Sequence, residues 1–434
     1  MSHEGFTIEE LTKLEGHAKL NVEMAGMRVK KVCLEVYEAS RYFEAMLLGR
    51  DYAEAPTITQ RICGICSVVH TLASIKAAED ALSIRPSQQT TDLRKIMLYA
   101  STIHSHTAHL FFFALPDYLG YQDVIELSKK KHDHIHLALD LQKLSSDAVK
   151  MIGGRALHPV TPVIGGFHAV PDRKKIETLV KNFQQAKRLA QKTAGLFAGL
   201  KLPNLEVRSV QMCLKSEDEY ALYDGIITTS EEFSFRNRDY RKYILEDVET
   251  YSNAKHAKFL GGSYMTGALP RLNENWKFLS KDAKALLSRF RLKPPILNPF
   301  ANNFAQAVEM VHFADEAIRL LKGYENGMRS EKFEPRPKIT KDCEGVGVCE
   351  APRGLLFHHY GIGGDGKIKY ANVITPTSQN APRMEDDIKV FLPSISERPQ
   401  GKIKLLLEML IRAYDPCFSC SSHFLELNVK KGRS

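Results

Sequence analysis

The chain has 434 residues, 44% of them apolar and 26% charged, and a formal charge of +9, which is the make-up of an ordinary globular protein with a sizeable core. The longest strongly apolar run, LFFFALP at 110–116, is too short to cross a bilayer, and MSHEGFTIEELTKLEG at the N-terminus lacks the basic start and apolar stretch of a secretory signal. The 60 basic residues are interleaved with 51 acidic ones and read as a solvated surface, so the expected setting is cytoplasmic, with no membrane span and no nucleic acid.

Residues 16–38 alternate in polarity around Ala25-Gly26 and predict a β-hairpin, followed by a helix over 40–48. Apolar residues recur at helical spacing over 67–83, 88–115, 121–150 and 173–199, with Pro and Gly breakers between them, and predict long bundle helices. The stretch 205–275 is rich in Tyr, Gly and β-branched residues and predicts an irregular insertion with short strands. Helices return at 281–290 and 303–323. The segment 340–378 reads as strands, with a hairpin around Gly-Gly-Asp-Gly, and a last helix spans 401–413. The fold class expected is α+β, mainly α: a long-helix bundle with peripheral β-hairpins. No compositional break divides the chain, so 1–423 is expected to form one large domain and 424–434 an extension.

Eight cysteines are too few for a disulfide scaffold. Cys33, Cys213, Cys343 and Cys349 stand alone and read as inert buried thiols. The other four form two C-x-x-C pairs, Cys63/Cys66 in RICGICSVVH (61–70) and Cys417/Cys420 in DPCFSCSSH (415–423). Four thiolates are what a tetrahedral zinc needs, and spacing alone leaves a structural zinc open. Against it, 350 residues separate Cys66 from Cys417, and the long helices between need no such staple. Each pair is also followed by a histidine, His70 or His423, and Arg61 precedes the first, so each carries its own polar surroundings. HDHIH at 132–136 carries no such weight, because its three imidazoles do not share one helix face.

These two motifs resemble those of the large subunit of nickel-iron hydrogenases: R-x-C-G-x-C-x-x-x-H near the start and D-P-C-x-x-C-x-x-H near the end. Further landmarks fall in the family's order: LEGH (14–17), FEAMLLGRD (43–51), IHSHTAHLFFFALPD (103–117), NPFANNFAQAVE (298–309), EAPRG (350–354) and ITPTSQN (374–380). The wording is most similar to the cytoplasmic bidirectional branch linked to NAD(P) or sulfur. The resemblance implies reversible heterolytic splitting of dihydrogen. Cys63 and Cys417 would be terminal ligands of nickel, and Cys66 and Cys420 would bridge it to an iron carrying carbonyl and cyanide.

By the same resemblance, Glu15 would relay protons beside Cys417, itself the catalytic base. Arg353 would stand over the open site as a positioning cation, since a guanidinium is a poor base. Pro376 and Thr377 would line a cyanide pocket, Asp415 would hold Arg353 or the motif's backbone, and His70 would hydrogen-bond a bridging sulfur. Glu44, the carbonyl of Val373 and His423 would bind Mg2+ or Fe2+. Ser105 stands where many members carry aspartate, and KLEGH replaces the commoner RIEGH. The remaining cysteines lack ferredoxin spacing, which implies an iron-sulfur small subunit, with flavin or NAD(P)-linked subunits beyond it. The resemblance also implies nickel chaperones and a maturation endopeptidase, with two readings open for FLELNVKKGRS at 424–434: a tail cut off on maturation, or a polar tail kept on the surface. The competing reading is a zinc-stabilised or metal-free relative in an assembly or electron-transfer complex, without hydrogen activity.

Overall fold

The computed structural model describes residues 5–25, 28–39, 42–334 and 336–422. His423 and the 424–434 extension therefore lie outside the described residues, as does the turn at Gly26. Four long helices, Gln88–Ala108, His132–Gly153, Arg173–Ala198 and Asn302–Lys322, pack in a ring, each against two of the others. Their buried faces carry Leu93, Met97, Ala148, Leu179, Phe183, Val311 and Phe313, the apolar stripe that helical periodicity demands.

Three of the helical segments differ in detail from expectation. The helix expected over 88–115 passes at His109–Ala114 into a π-helical turn, which re-aims His109 inward. The one expected over 121–150 breaks at Lys131 into Val124–Lys130 and His132–Gly153. Within the second of these, His132 and His136 meet edge to face, ring centroids 4.3 Å apart. Sequence periodicity does not predict the Pro376–Ile395 helix, because Pro382 and Pro393 lie inside it and proline reads as a breaker.

The predicted N-terminal hairpin is Ala18–Ala25 paired antiparallel with Arg28–Val36, with Gly5–Ile8 added on the outer side. The 205–275 stretch holds the expected short strands, in a sheet ordered Tyr264–Met265, Val210–Lys215, Ile226–Thr229, Ser234–Phe235. It also holds an unforeseen helix, Ala268–Asn275. The 340–378 segment forms an antiparallel sheet of Cys343–Ala351, Gly354–Ile362 and Ile368–Ile374.

That last sheet lies directly on the Ser67–Leu82 helix, which follows the first cysteine pair. The approach is so close that a Cβ at Gly347 would sit 2.0 Å from the Ala73 carbonyl oxygen and one at Gly345 2.2 Å from the Ala81 nitrogen. Arg94, fully buried, ties the other side of this helix to the bundle through two bonds to Glu79 of 2.7 and 2.9 Å. Buried apolar residues run without interruption from Ile8 in the N-terminal sheet to Cys420.

Candidate metal centre

The two cysteine motifs meet. Cys63 leaves a short 3-10 turn in extended conformation, and Cys66 stands at the N-cap of the Ser67–Leu82 helix. Cys417 caps the short Phe418–Ser421 turn that carries Cys420. All four sulfurs lie within 4.8 Å of one another, and the four residues are between 1% and 4% exposed. Cys417 and Cys420, with Cα atoms 5.5 Å apart, are in sulfur–sulfur contact, and the Cys417 sulfur is 3.6 Å from that of Cys63. A hydrogen bond from the Cys66 thiol lowers the Cys63 pKa, and the same bond together with burial raises that of Cys66.

The N-terminal segment closes over the second motif. The Glu15 carbonyl accepts from Phe418 N–H (2.9 Å), and its carboxylate accepts from Ser419 N–H (3.1 Å) and from the Ser419 hydroxyl. The same carboxylate lies 3.0 Å from the Cys417 sulfur. Gly16 permits this contact: it sits at φ +84°, and a Cβ there would be 2.9 Å from both Phe418 Cβ and Ser419 N. Lys13, the departure from the family's arginine, pairs with Asp117, which also accepts from Arg412 at 2.6 Å. Arg412 in turn donates to the Thr12 carbonyl at 2.8 Å, so the segment is docked on the Gln400–Ala413 helix.

Arg353 lies across the sulfurs. Its Nε donates to the Asp415 carbonyl (2.7 Å), its Nη2 pairs with the Asp415 carboxylate (2.9 Å), and its Nη1 reaches Cys66 Sγ and Ser105 Oγ, both at 3.3 Å. Burial opposes its charge, but Asp415 and the cysteines more than compensate, so its pKa is raised and it stays a cation. Ser105 gives it a neutral partner, leaving Asp415 as its carboxylate. Pro376 opens the Pro376–Ile395 helix, and the Thr377 hydroxyl accepts from Cys417 N–H (2.9 Å) while keeping its own proton to donate.

Glu44 and Val373 also come together, through the Val373 N–H, which donates to the Glu44 carboxylate at 2.9 Å. Lys255 faces that carboxylate at 3.3 Å, and burial raises the Glu44 pKa against the pull of Lys255. The third residue expected here, His423, lies outside the described residues. The His70 ring meets that of His358 at 3.1 Å, and His358 continues to the Tyr360 hydroxyl at 2.6 Å. One smaller expectation is corrected. Arg61 is exposed and does not fold back on the sulfurs. Of the lone cysteines, Cys33, Cys213 and Cys349 are buried as expected, and Cys343 is half-buried.

Sequence reasoning missed the polar side chains of the long helices. Gln306 donates to the Asp415 carboxylate (3.0 Å) and pairs with His109 (2.6 Å), and Asn302 donates to the Ala413 carbonyl (2.8 Å). The available signal was three polar residues, Asn302, Asn303 and Gln306, crowded into the first turns of a helix whose neighbouring positions there are apolar.

A set of four buried sulfurs suits nickel and iron, and zinc would accept it too. A closed zinc site does not account for a buried guanidinium 3.3 Å from one sulfur and a carboxylate 3.0 Å from another, both of which a reactive centre requires. The residues present therefore fit a nickel-iron centre. The family profile "Nickel-dependent hydrogenase" matches residues 41–138 and 211–423. The alpha chain of sulfhydrogenase 1 from Pyrococcus furiosus is 34% identical over 97% of this chain and 98% of its own length. In Methanothermobacter thermautotrophicus, one of the subunits of the F420-non-reducing hydrogenase is 34% identical over 98% of this chain and 96% of its own length. The crystal structure of an NAD+-reducing [NiFe]-hydrogenase in the H2-reduced state superposes with a TM-score of 0.84 at 26% identity, over 98% of this chain and 100% of that one. With more than half of the chain matched by the profile and nearly all of it by relatives above 30% identity, the chain belongs to the nickel-dependent hydrogenase family as its large subunit and is thus an oxidoreductase acting on dihydrogen.

Proposed function

We propose that Cys63, Cys66, Cys417 and Cys420 hold the nickel-iron centre, with Cys63 and Cys417 terminal on nickel, Cys66 and Cys420 bridging, and carbonyl and cyanide on the iron. The observation that carries this reading is the convergence of four buried sulfurs from opposite ends of the chain beneath a charged guanidinium. When bound, the centre would supply the heterolytic cleavage of dihydrogen into a proton and a hydride equivalent, so that the overall oxidation yields two protons and two electrons. Cys417 Sγ is the base, and Glu15, 3.0 Å away, takes the proton from it and passes it outward. Arg353 cannot serve as that base while Asp415 holds it charged, so it orients and polarises ligands over the sulfurs. Pro376 and the Thr377 hydroxyl receive a cyanide. Glu44, Val373 and His423 bind Mg2+ or Fe2+.

No helix of the described residues is long and apolar enough to cross a membrane, which accords with a cytoplasmic complex. Electrons leave through an iron-sulfur small subunit. Flavin or NAD(P)-linked subunits lie beyond it, in keeping with the NAD+-reducing relative. Residues 1–423 act as one catalytic domain, and an endopeptidase removes 424–434 after nickel chaperones have delivered the metal. The test is dihydrogen-driven reduction of a viologen dye by the purified complex, with metal analysis. Turnover with one nickel per chain is expected. Zinc in place of nickel, in protein made with its maturation machinery, sinks the reading.

A further inference from the structure

Behind the loop that carries Arg353 lies a second arginine, Arg271, which is 0% exposed. A guanidinium has five N–H donors in a fixed fork, and Arg271 makes five bonds. Nε and Nη2 form a bidentate pair with Glu309 at 2.7 and 2.8 Å, and Nη1 donates to Glu350 at 2.9 Å. The other two go to the Ala351 carbonyl at 2.9 Å and the Pro352 carbonyl at 3.0 Å, the two peptide oxygens that immediately precede Arg353.

The carboxylates around it are fixed in turn. Glu309 accepts from the Tyr220 hydroxyl at 2.7 Å and pairs with His106 at 2.8 Å, and Glu350 accepts from Leu214 N–H at 2.7 Å. Burial pushes Glu309 up, but the Arg271 guanidinium and the His106 bond outweigh it and hold it at about 2, so the Arg271–Glu309 pair stays ionised. Three elements, Ala268–Asn275, Asn302–Lys322 and Cys343–Ala351, are thus joined at one guanidinium, with Gln88–Ala108 attached through His106 and Glu309, within two residues of the arginine that reaches the sulfurs.

A buried ion pair kept only for stability is commonly replaceable by apolar groups of similar volume. Two bonds to successive carbonyls are a positional demand instead, because they fix the peptide planes from which the next side chain departs. We propose that Arg271 is a positioning residue for the hydrogenase reaction: it clamps the 351–352 backbone and so sets where the Arg353 guanidinium stands over Cys66. The inference rests on the reading of Arg353 as the cation beside a cyanide-bearing centre. Lysine cannot replace Arg271, since an ammonium lacks the fork that spans two carboxylates and two carbonyls.

The test compares Arg271→Lys, Arg353→Lys and the double variant in the intact, metal-loaded complex, reading infrared cyanide bands and dihydrogen oxidation. Arg271→Lys is expected to load nickel, to displace or split the cyanide bands and to lower turnover by about tenfold or more, since small misplacements at a reacting centre are costly. The double variant is expected to be no worse than Arg353→Lys alone, because residues acting through one another are not additive. Wild-type bands and turnover in Arg271→Lys, or a double variant that loses the product of the two single effects, overturns the proposal. If Arg271→Lys does not accumulate, Glu309→Gln keeps the shape and removes the charge that orients Arg271: displaced bands support the proposal and wild-type bands overturn it. If the wild-type complex shows no cyanide bands, the reading of the centre fails and takes this inference with it. Bands that move in Arg353→Lys but not in Arg271→Lys sink this inference alone.

Discussion

The two cysteine motifs reach the same few ångströms by opposite means. Cys63 and Cys66 sit at the head of the 16-residue Ser67–Leu82 helix, pressed on one side against the Cys343–Ala351 and Gly354–Ile362 strands and tied on the other by the Arg94–Glu79 pair. Cys417 and Cys420 ride on a four-residue turn that is just as buried but too short to fix its own place. Its position comes from tethers: Glu15 and Gly16 from the N-terminus, Thr377 from the Pro376–Ile395 helix, and Asp415 from Arg353 and Gln306. Both halves are buried, but a long packed helix holds the first and hydrogen-bonded tethers hold the second. Small local bonds are therefore expected to matter for the second motif and close packing for the first.

The largest effect should come from the first. Gly347→Ala would place a methyl 2.0 Å from the Ala73 carbonyl, and backbone cannot yield as a side chain can. A loss of more than about 4 kcal/mol is expected, read as failure to accumulate folded protein. Folded Gly347→Ala near wild-type stability would contradict a first motif built into the core.

The frame of the second motif should instead respond to pH. Glu385, on the Pro376–Ile395 helix, accepts from Leu34 N–H of the N-terminal hairpin at 2.8 Å, and burial pushes it up to about 7 from an ordinary 4.5. A raised carboxyl binds its proton more tightly in the folded state. Its contribution is thus present at low pH and is lost as pH rises from about 4.5 through about 7, by up to about 3 kcal/mol. Denaturation measured across that window should fall more steeply in wild type than in Glu385→Gln, and equal slopes would remove Glu385 from the frame.

Glu15→Gln keeps the shape of the tether but cannot carry a proton. Dihydrogen oxidation should drop by about 100-fold, close to 3 kcal/mol of barrier, with nickel content unchanged. Retained turnover would make Glu15 a tether only. The smallest effect is expected from Thr377→Val, which removes one bond to Cys417 N–H and should cost about 1 kcal/mol in thermal denaturation. An unchanged midpoint would show that the turn does not depend on it.

Much of this was legible in the sequence. Helical periodicity marked the bundle, and the two C-x-x-C motifs with their flanks marked the centre, because a ligand set restricts residue type at fixed spacing. What stayed hidden has physical causes. The Pro376–Ile395 helix carries two prolines, which local rules count against it, and tertiary packing overrides them. Gln306 and Asn302 hold Asp415 and the Ala413 carbonyl from positions whose spacing looks merely helical. Arg271 is chemically silent in its own segment; its five bonds go to residues 309, 350, 351 and 352, which only the fold brings together.

The central claim is that the tied motif and the built-in motif close on one nickel-iron centre with diatomic ligands. Infrared absorption of the as-isolated complex, between the amide bands and the C–H stretches and paired with a count of nickel per chain, tests it most directly. Carbonyl and cyanide bands with one nickel per chain are the predicted result. A nickel-loaded sample without those bands, or zinc filling the four cysteines, would contradict it.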